Sequence, residues 1–227
     1  VDTLFKTFER NLGTLTPDEQ QALQKATVAV IGCGGLGGYV IEELARVGVG
    51  KLLVADPDHF SVSNLNRQVN ACSSTLNRNK ALVAAERVQA IHNHTVVQPF
   101  PVDFRAVPVE RLRGADVLVD CLDDIQVRRD LSVLANQLQV PLVHGAVNGW
   151  FGQVGVQMPT YDLFALIYPQ RGDCRKTLNP PSVLSFTVAL IASLQAAETV
   201  KLLLRVPSQL HNRYCTVDLK DNEWILF

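Results

Sequence analysis

Gly32-x-Gly34-x-x-Gly37 follows directly on the β-branched run Val28, Val30, Ile31 and opens a helical pattern. Glycines at this spacing let backbone N–H groups approach a phosphate, and a helix N-terminus favours its negative charge. The next apolar run, Leu52–Val54, ends on Asp56, where a carboxylate can accept a ribose hydroxyl. Beyond it lie Asn64, Arg67, Gln68 and Lys80: two cations and two amides. A redox dinucleotide has no general need of such a cluster. A triphosphate does, because its β and γ charges must be neutralised as pyrophosphate leaves. The expected chemistry is therefore cleavage of a nucleotide. Nicotinamide-dependent oxidoreduction is the alternative that rests on the glycine motif alone.

These residues need a frame to hold them. Thr16-Pro17-Asp18-Glu19 predicts a helix start, with Thr16 as cap, Pro17 at the first position and Glu19 closing a capping box, in a helix running to about Lys25. Val40, Ile41, Leu44 and Val47 continue the post-glycine helix until Gly48 and Gly50. Residues 79–91 predict a helix with Ala81, Leu82, Ala85 and Val88 inward, and Val96–Phe100 a short strand. A buried strand at 116–121, a helix at 125–138 and a strand at 141–146 follow. Then the rhythm changes. Gly152–Met158 alternates as an antiparallel strand does, 159–181 is a proline-rich and polar connection, 183–204 is a long apolar helix, and Tyr214–Leu219 with Glu223–Phe227 forms a closing hairpin. The fold class expected is α/β: a Rossmann-like, doubly wound, mainly parallel sheet continuing into antiparallel strands. All of 1–227 reads as one domain, with an N-terminal helical segment (1–25), a nucleotide-binding part (26–146) and a third part (147–227).

Composition agrees with a single packed domain. The chain has 227 residues, 47% of them hydrophobic, and a formal net charge of −1. With no block of like charges, neither nucleic acid nor a membrane surface is the expected partner, and no run approaches the ~20 continuous apolar residues of a bilayer span. The polar N-terminal stretch does not read as a signal peptide. The five cysteines are scattered, without a C-x-x-C pair, which points away from a disulfide framework and toward a reducing, cytoplasmic setting. Cys33, Cys121 and Cys215 read as small core residues, and His92 and His94 as solvent-facing.

Six segments in order give a resemblance. Arg10-Asn11 before Leu15-Thr16-Pro17-Asp18-Glu19-Gln20, then Gly32–Gly38, Asp56-x-Asp58 with Ser63-Asn64-Leu65-Asn66-Arg67-Gln68, Lys80, Asp120-Cys121-Leu122-Asp123-Asp124, and Gln195–Glu198 with Lys201-Leu202-Leu203 resemble the ThiF/MoeB/HesA family, relatives of the ubiquitin-activating enzymes. The likeness spans nearly the whole chain. It implies ATP and Mg2+ as cofactors, with the glycine loop (Gly32, Gly34, Gly35, Gly37), Asp56 and Asp58 at the nucleotide. It implies Asn64, Arg67, Gln68 and Lys80 at the phosphates, and Asp123 on magnesium, Asp124 being free to cap the following helix. Arg10 would reach the triphosphate of a neighbouring subunit, which makes a homodimer the active unit. The implied reaction is adenylation of the C-terminal Gly-Gly carboxylate of a ubiquitin-like sulfur-carrier protein, as in thiamin or molybdopterin synthesis. A tRNA threonylcarbamoyladenosine dehydratase is the alternative within the family.

The chain departs from the pattern in two places. Many members hold zinc with two C-x-x-C pairs. Here Leu163 and Leu166 stand at the first pair's positions and the second pair's position lies beyond Phe227, so no zinc is expected and packing is expected to replace it. Cys174, flanked by Arg171, Arg175 and Lys176, matches a cysteine that some relatives use covalently, and a thiolate there would be favoured by these cations.

Overall fold

The computed structural model describes residues 6–169 and 182–227. Strands β1 (Thr27–Ile31), β2 (Lys51–Ala55), β3 (Val96–Phe100), β4 (Val117–Asp120), β5 (Leu142–Asn148), β6 (Phe151–Gln157), β7 (Arg213–Asp218) and β8 (Glu223–Leu226) form an eight-stranded sheet in the order β3-β2-β1-β4-β5-β6-β7-β8. From β3 to β5 the neighbours are parallel; from β5 to β8 they are antiparallel. The order reverses between β1 and β4, which is where an open α/β sheet leaves a crevice at its carboxyl ends.

The helices are α1 (Pro17–Lys25), α2 (Gly35–Val47), α3 (Lys80–Ile91), α4 (Val109–Leu112), α5 (Ile125–Leu138), α6 (Leu163–Ile167) and α7 (Ser185–Leu203). Strand alternation divides the core in two. Val28 and Val30 pack with apolar residues of α2, α3 and α7, whereas Ala29 and Ile31 face those of α4, α5 and α6. All four are essentially solvent-free, and full burial of a Val or Ile side chain is worth about 1.5–3 kcal/mol. β1 is thus apolar on both faces because helices cover both.

Local signals act as the sequence predicts. Thr16 Oγ1 accepts from the Glu19 N–H at 3.2 Å while Glu19 accepts from the Thr16 N–H at 2.7 Å. Gly48 ends α2 with φ +99°, a left-handed conformation that a Cβ disfavours. Gln20 of α1 donates to the Val47 carbonyl at 3.0 Å and so ties the N-terminal segment to that helix end.

Four expectations need correction. Leu82 is exposed on α3, because Ala81, Ala84 and Val88 define the inward stripe and Leu82 is about 100° round the helix from Ala81. His92 is half-buried, bonded to the Ala45 carbonyl at 2.9 Å and edge-on to Phe8. The connection after β6 contains α6, capped by Asp162 accepting from the Ala165 N–H at 3.0 Å. Within α6 Leu163 is fully buried but Leu166 is exposed, so only one of the two leucines packs. Helix α7 has the length and composition of a membrane-crossing helix. Here it lies against α2, β5 and β6 and buries Gln195, Glu198 and Thr199, as a core helix of this sheet.

Candidate nucleotide cleft

A cleft of about 690 Å³ opens at the carboxyl ends of β1, β2 and β4. One wall is the glycine loop. Gly32 has φ +95°, and a Cβ there would come within 2.6 Å of the Cys121 carbonyl oxygen. At Gly37 a Cβ would lie 1.8 Å from the Gly32 carbonyl oxygen, so this glycine lets the first turn of α2 close on the loop. Gly32, Gly34 and Gly35 line the cleft, whereas Gly37 works behind it. The N-terminus of α2 therefore meets the cleft through bare backbone.

Asp56 stands beside the loop. Its Oδ2 accepts from the Cys33 N–H at 2.7 Å and its Oδ1 from the Asp58 N–H at 2.8 Å. Those bonds fix the carboxylate, and burial raises its pKa despite them. Lys80, the first residue of α3, is buried up to its ammonium, which meets Asp58 Oδ2 at 3.0 Å. Asp58 is largely exposed while the Lys80 side chain is buried, so the carboxylate can turn to water when another anion takes its place at the lysine. Arg67 is oriented by the Ser63 carbonyl at 2.9 Å and Asn66 Oδ1 at 2.8 Å. Gln68 Oε1 is buried without a hydrogen-bond partner. Such a group costs about 1–3 kcal/mol while it stays unpaired, and the Gln68 side chain lines the cleft.

Asn64 is not on the cleft wall. Its Oδ1 accepts from the Ser61 N–H at 3.0 Å, and its carbonyl accepts from the N–H groups of Arg67 and Gln68. It builds the turn that presents those two residues. Asp123 lines the cleft after β4, and Asp124 caps α5 by accepting from the Val127 N–H at 2.9 Å. Arg10, exposed on a short turn at Glu9–Asn11, does not reach the cleft of its own chain. Cys174, Arg171, Arg175 and Lys176 lie outside the described residues.

The sequence reading missed the layer beneath Asp123. Asp120 Oδ1 accepts from the Leu122 N–H at 3.0 Å, and Arg128 Nε donates to the Leu122 carbonyl at 3.1 Å. The residue before Asp123 is thus held at both its backbone groups. Asp120 Oδ2 meets His144 Nδ1 at 2.7 Å. His144 is fully buried, and burial pushes its pKa down against the opposing pull of Asp120, which favours a neutral ring whose proton faces Asp120 on Nδ1. Charged or ionisable residues inside otherwise apolar strands, Asp120 in β4 and His144 in β5, are the signal that could have found this layer. The thiols of Cys33 and Cys121 are raised well above their usual range by burial and are not poised to react.

Known proteins resemble this chain in sequence and in fold. The ThiF family model matches residues 8–226. The sulfur carrier protein adenylyltransferase of Thermus thermophilus is 36% identical over 205 residues, 84% of this chain and 73% of that protein. The SAMP-activating enzyme E1 of Haloferax volcanii is 34% identical over 212 residues, 90% of this chain and 77% of that one. Among solved structures, E. coli MccB with ATP superposes with a TM-score of 0.77 at 19% identity, over 92% of this chain but 65% of that chain, a likeness of fold. The glycine loop, the cationic turn and the aspartate after β4 stand in a chain that belongs to the ThiF family.

Proposed function

We propose that this protein uses ATP to adenylate the C-terminal carboxylate of a ubiquitin-like sulfur-carrier protein ending in Gly-Gly, with release of pyrophosphate. The observation that carries the reading is the convergence of Asp56, Arg67, Gln68, Lys80 and Asp123 on one cleft with the glycine loop. A relative named sulfur carrier protein adenylyltransferase and another named SAMP-activating enzyme E1, each matched over most of both chains, support it.

The chemistry asks little beyond placement. The attacking carboxylate is already ionised at neutral pH, so no general base is needed. Its oxygen forms a bond to the α-phosphorus as the bond to the bridging oxygen of pyrophosphate breaks. Asp56 would fix the ribose. Arg67 and Lys80 would neutralise the charge that gathers on the leaving pyrophosphate, and Gln68 would complete its open amide on the nucleotide. Among the described residues no three His, Cys, Asp or Glu gather as a metal cluster. Mg2+ commonly binds through one carboxylate and substrate phosphates, and Asp123 at the cleft wall suits that role. The ion would supply charge neutralisation there. Arg10 would serve the cleft of a second copy, which makes the homodimer part of the same reading. The localisation proposed is the cytoplasm.

The test is an intact-mass measurement of such a carrier after incubation with the chain, ATP and Mg2+. The reading expects a carrier bearing one AMP, absent with Asp123→Ala. Unmodified carrier, with ATP consumed only when tRNA is present, would move the assignment to the dehydratase branch.

A further inference from the structure

The end of β5 and the start of β6 also line the cleft, and Gln153 and Tyr168 are among the lining residues. Their hydrogen bonds leave little freedom. His144 gives its Nδ1 proton to Asp120, so its Nε2 is a lone pair and needs a donor. Gln153 Nε2 supplies one at 2.9 Å. The second hydrogen of the same amide group goes to the Tyr168 hydroxyl oxygen at 3.0 Å. Both amide hydrogens are then used, and the amide cannot turn over without setting its oxygen against the His144 lone pair. What remains of Gln153 is Oε1, an acceptor that no described protein group meets, on a side chain lining the cleft. Tyr168 is itself pinned, because Arg128 Nη1 also donates to its hydroxyl at 2.9 Å. A fixed acceptor in the cleft where acyl transfer is proposed would favour a substrate with a donor next to its carboxylate.

We propose that Gln153 reads the amide N–H adjoining the reacting carboxylate of the acyl substrate, and that His144 is the positioning residue that holds its amide the right way round. The inference rests on the proposed adenylation and adds to it a positioning contact between Gln153 and the last peptide N–H of the carrier tail.

The full-length chain is assayed by ATP–pyrophosphate exchange with two carriers. One has the normal Gly-Gly end; in the other an ester oxygen replaces the last amide N–H. Removing one such bond should lower kcat/KM about tenfold for the ester carrier. Gln153→Met should lower the normal carrier's kcat/KM by a similar factor and treat both carriers alike. His144→Leu should also lose the discrimination, whereas His144→Asn, which keeps an acceptor, should retain part of it. A shift in melting temperature on adding ATP shows that each variant still forms its nucleotide site. Should a variant fail to fold, the wild-type ratio of the two carriers decides alone. Equal rates with both carriers, or discrimination that survives Gln153→Met, would overturn the inference while leaving adenylation standing. No exchange with either carrier would contradict the proposed function and this inference with it.

Discussion

At the scale of single residues, the proposed adenylation divides the cleft into groups that would meet the nucleotide and groups that hold them. Arg67 and Asp123 belong to the first kind. Replacing either with Ala should cost about 10²–10³-fold in carrier-dependent exchange, the scale for a preorganised charged group. Both side chains lie at the cleft surface, so the circular-dichroism melt should stay near wild type. His144 belongs to the second kind and makes a pH prediction. Burial lowers its pKa from 6.5, so the unfolded chain takes up the proton first. Its contribution to stability is complete above 6.5 and declines as pH falls below that value. Denaturant titrations at about pH 7.5 and pH 5.5 should show this loss in wild type and a smaller one in His144→Asn. The chemistry-bearing residues were legible because their types announce phosphate. The ones beneath were not, since Asp120, Arg128, His144 and Gln153 are spread over some thirty positions and acquire a joint meaning only when β4, β5 and β6 lie side by side. Asn64 shows the converse: its place in the motif suggests phosphate, but its bonds go to the backbone of its own turn.

At the scale of elements, boundaries followed rules that operate within a few residues. The capping box of α1, the αL glycine after α2 and the Asp124 cap of α5 all appear where the sequence puts them. The inward face of α3 was misread because Leu82 is apolar, yet the buried stripe of Ala81, Ala84 and Val88 turns it outward. The short α6 was hidden in a polar connection, with one turn of apolar residues too brief to show a period. Glycine packing yields the strongest prediction here. Gly37→Ala would place a methyl 1.8 Å from the Gly32 carbonyl oxygen, so loop and helix must part. The variant should lose about 1–3 kcal/mol or more of stability, the usual cost of overpacking, and with it ATP binding by calorimetry. A Gly37→Ala protein that binds ATP as wild type does would show that the loop does not need this close approach.

At the scale of the whole molecule, the parallel-to-antiparallel sheet was readable from the change in rhythm after Ala146, and the single eight-stranded order came only with the structure. Arg10 sits outside the cleft of its own chain, which leaves a second copy as the place where it would act. If so, Arg10→Ala and Asp123→Ala, each inactive alone, should complement when mixed and allowed to exchange subunits. Half the dimers would be mixed and each would carry one intact site, returning roughly a quarter of wild-type activity. Mixtures no more active than their parts would remove Arg10 from the partner's site.

If the cleft joins a nucleotide to a protein's terminal carboxylate, ATP–pyrophosphate exchange will depend on that protein. Measured with and without a small carrier ending in Gly-Gly, exchange should require the carrier and its free terminal carboxylate and should fall about 10²–10³-fold in Asp123→Ala. Exchange that proceeds equally without any carrier, or with a carrier whose terminus is blocked as an amide, would contradict this role of the cleft.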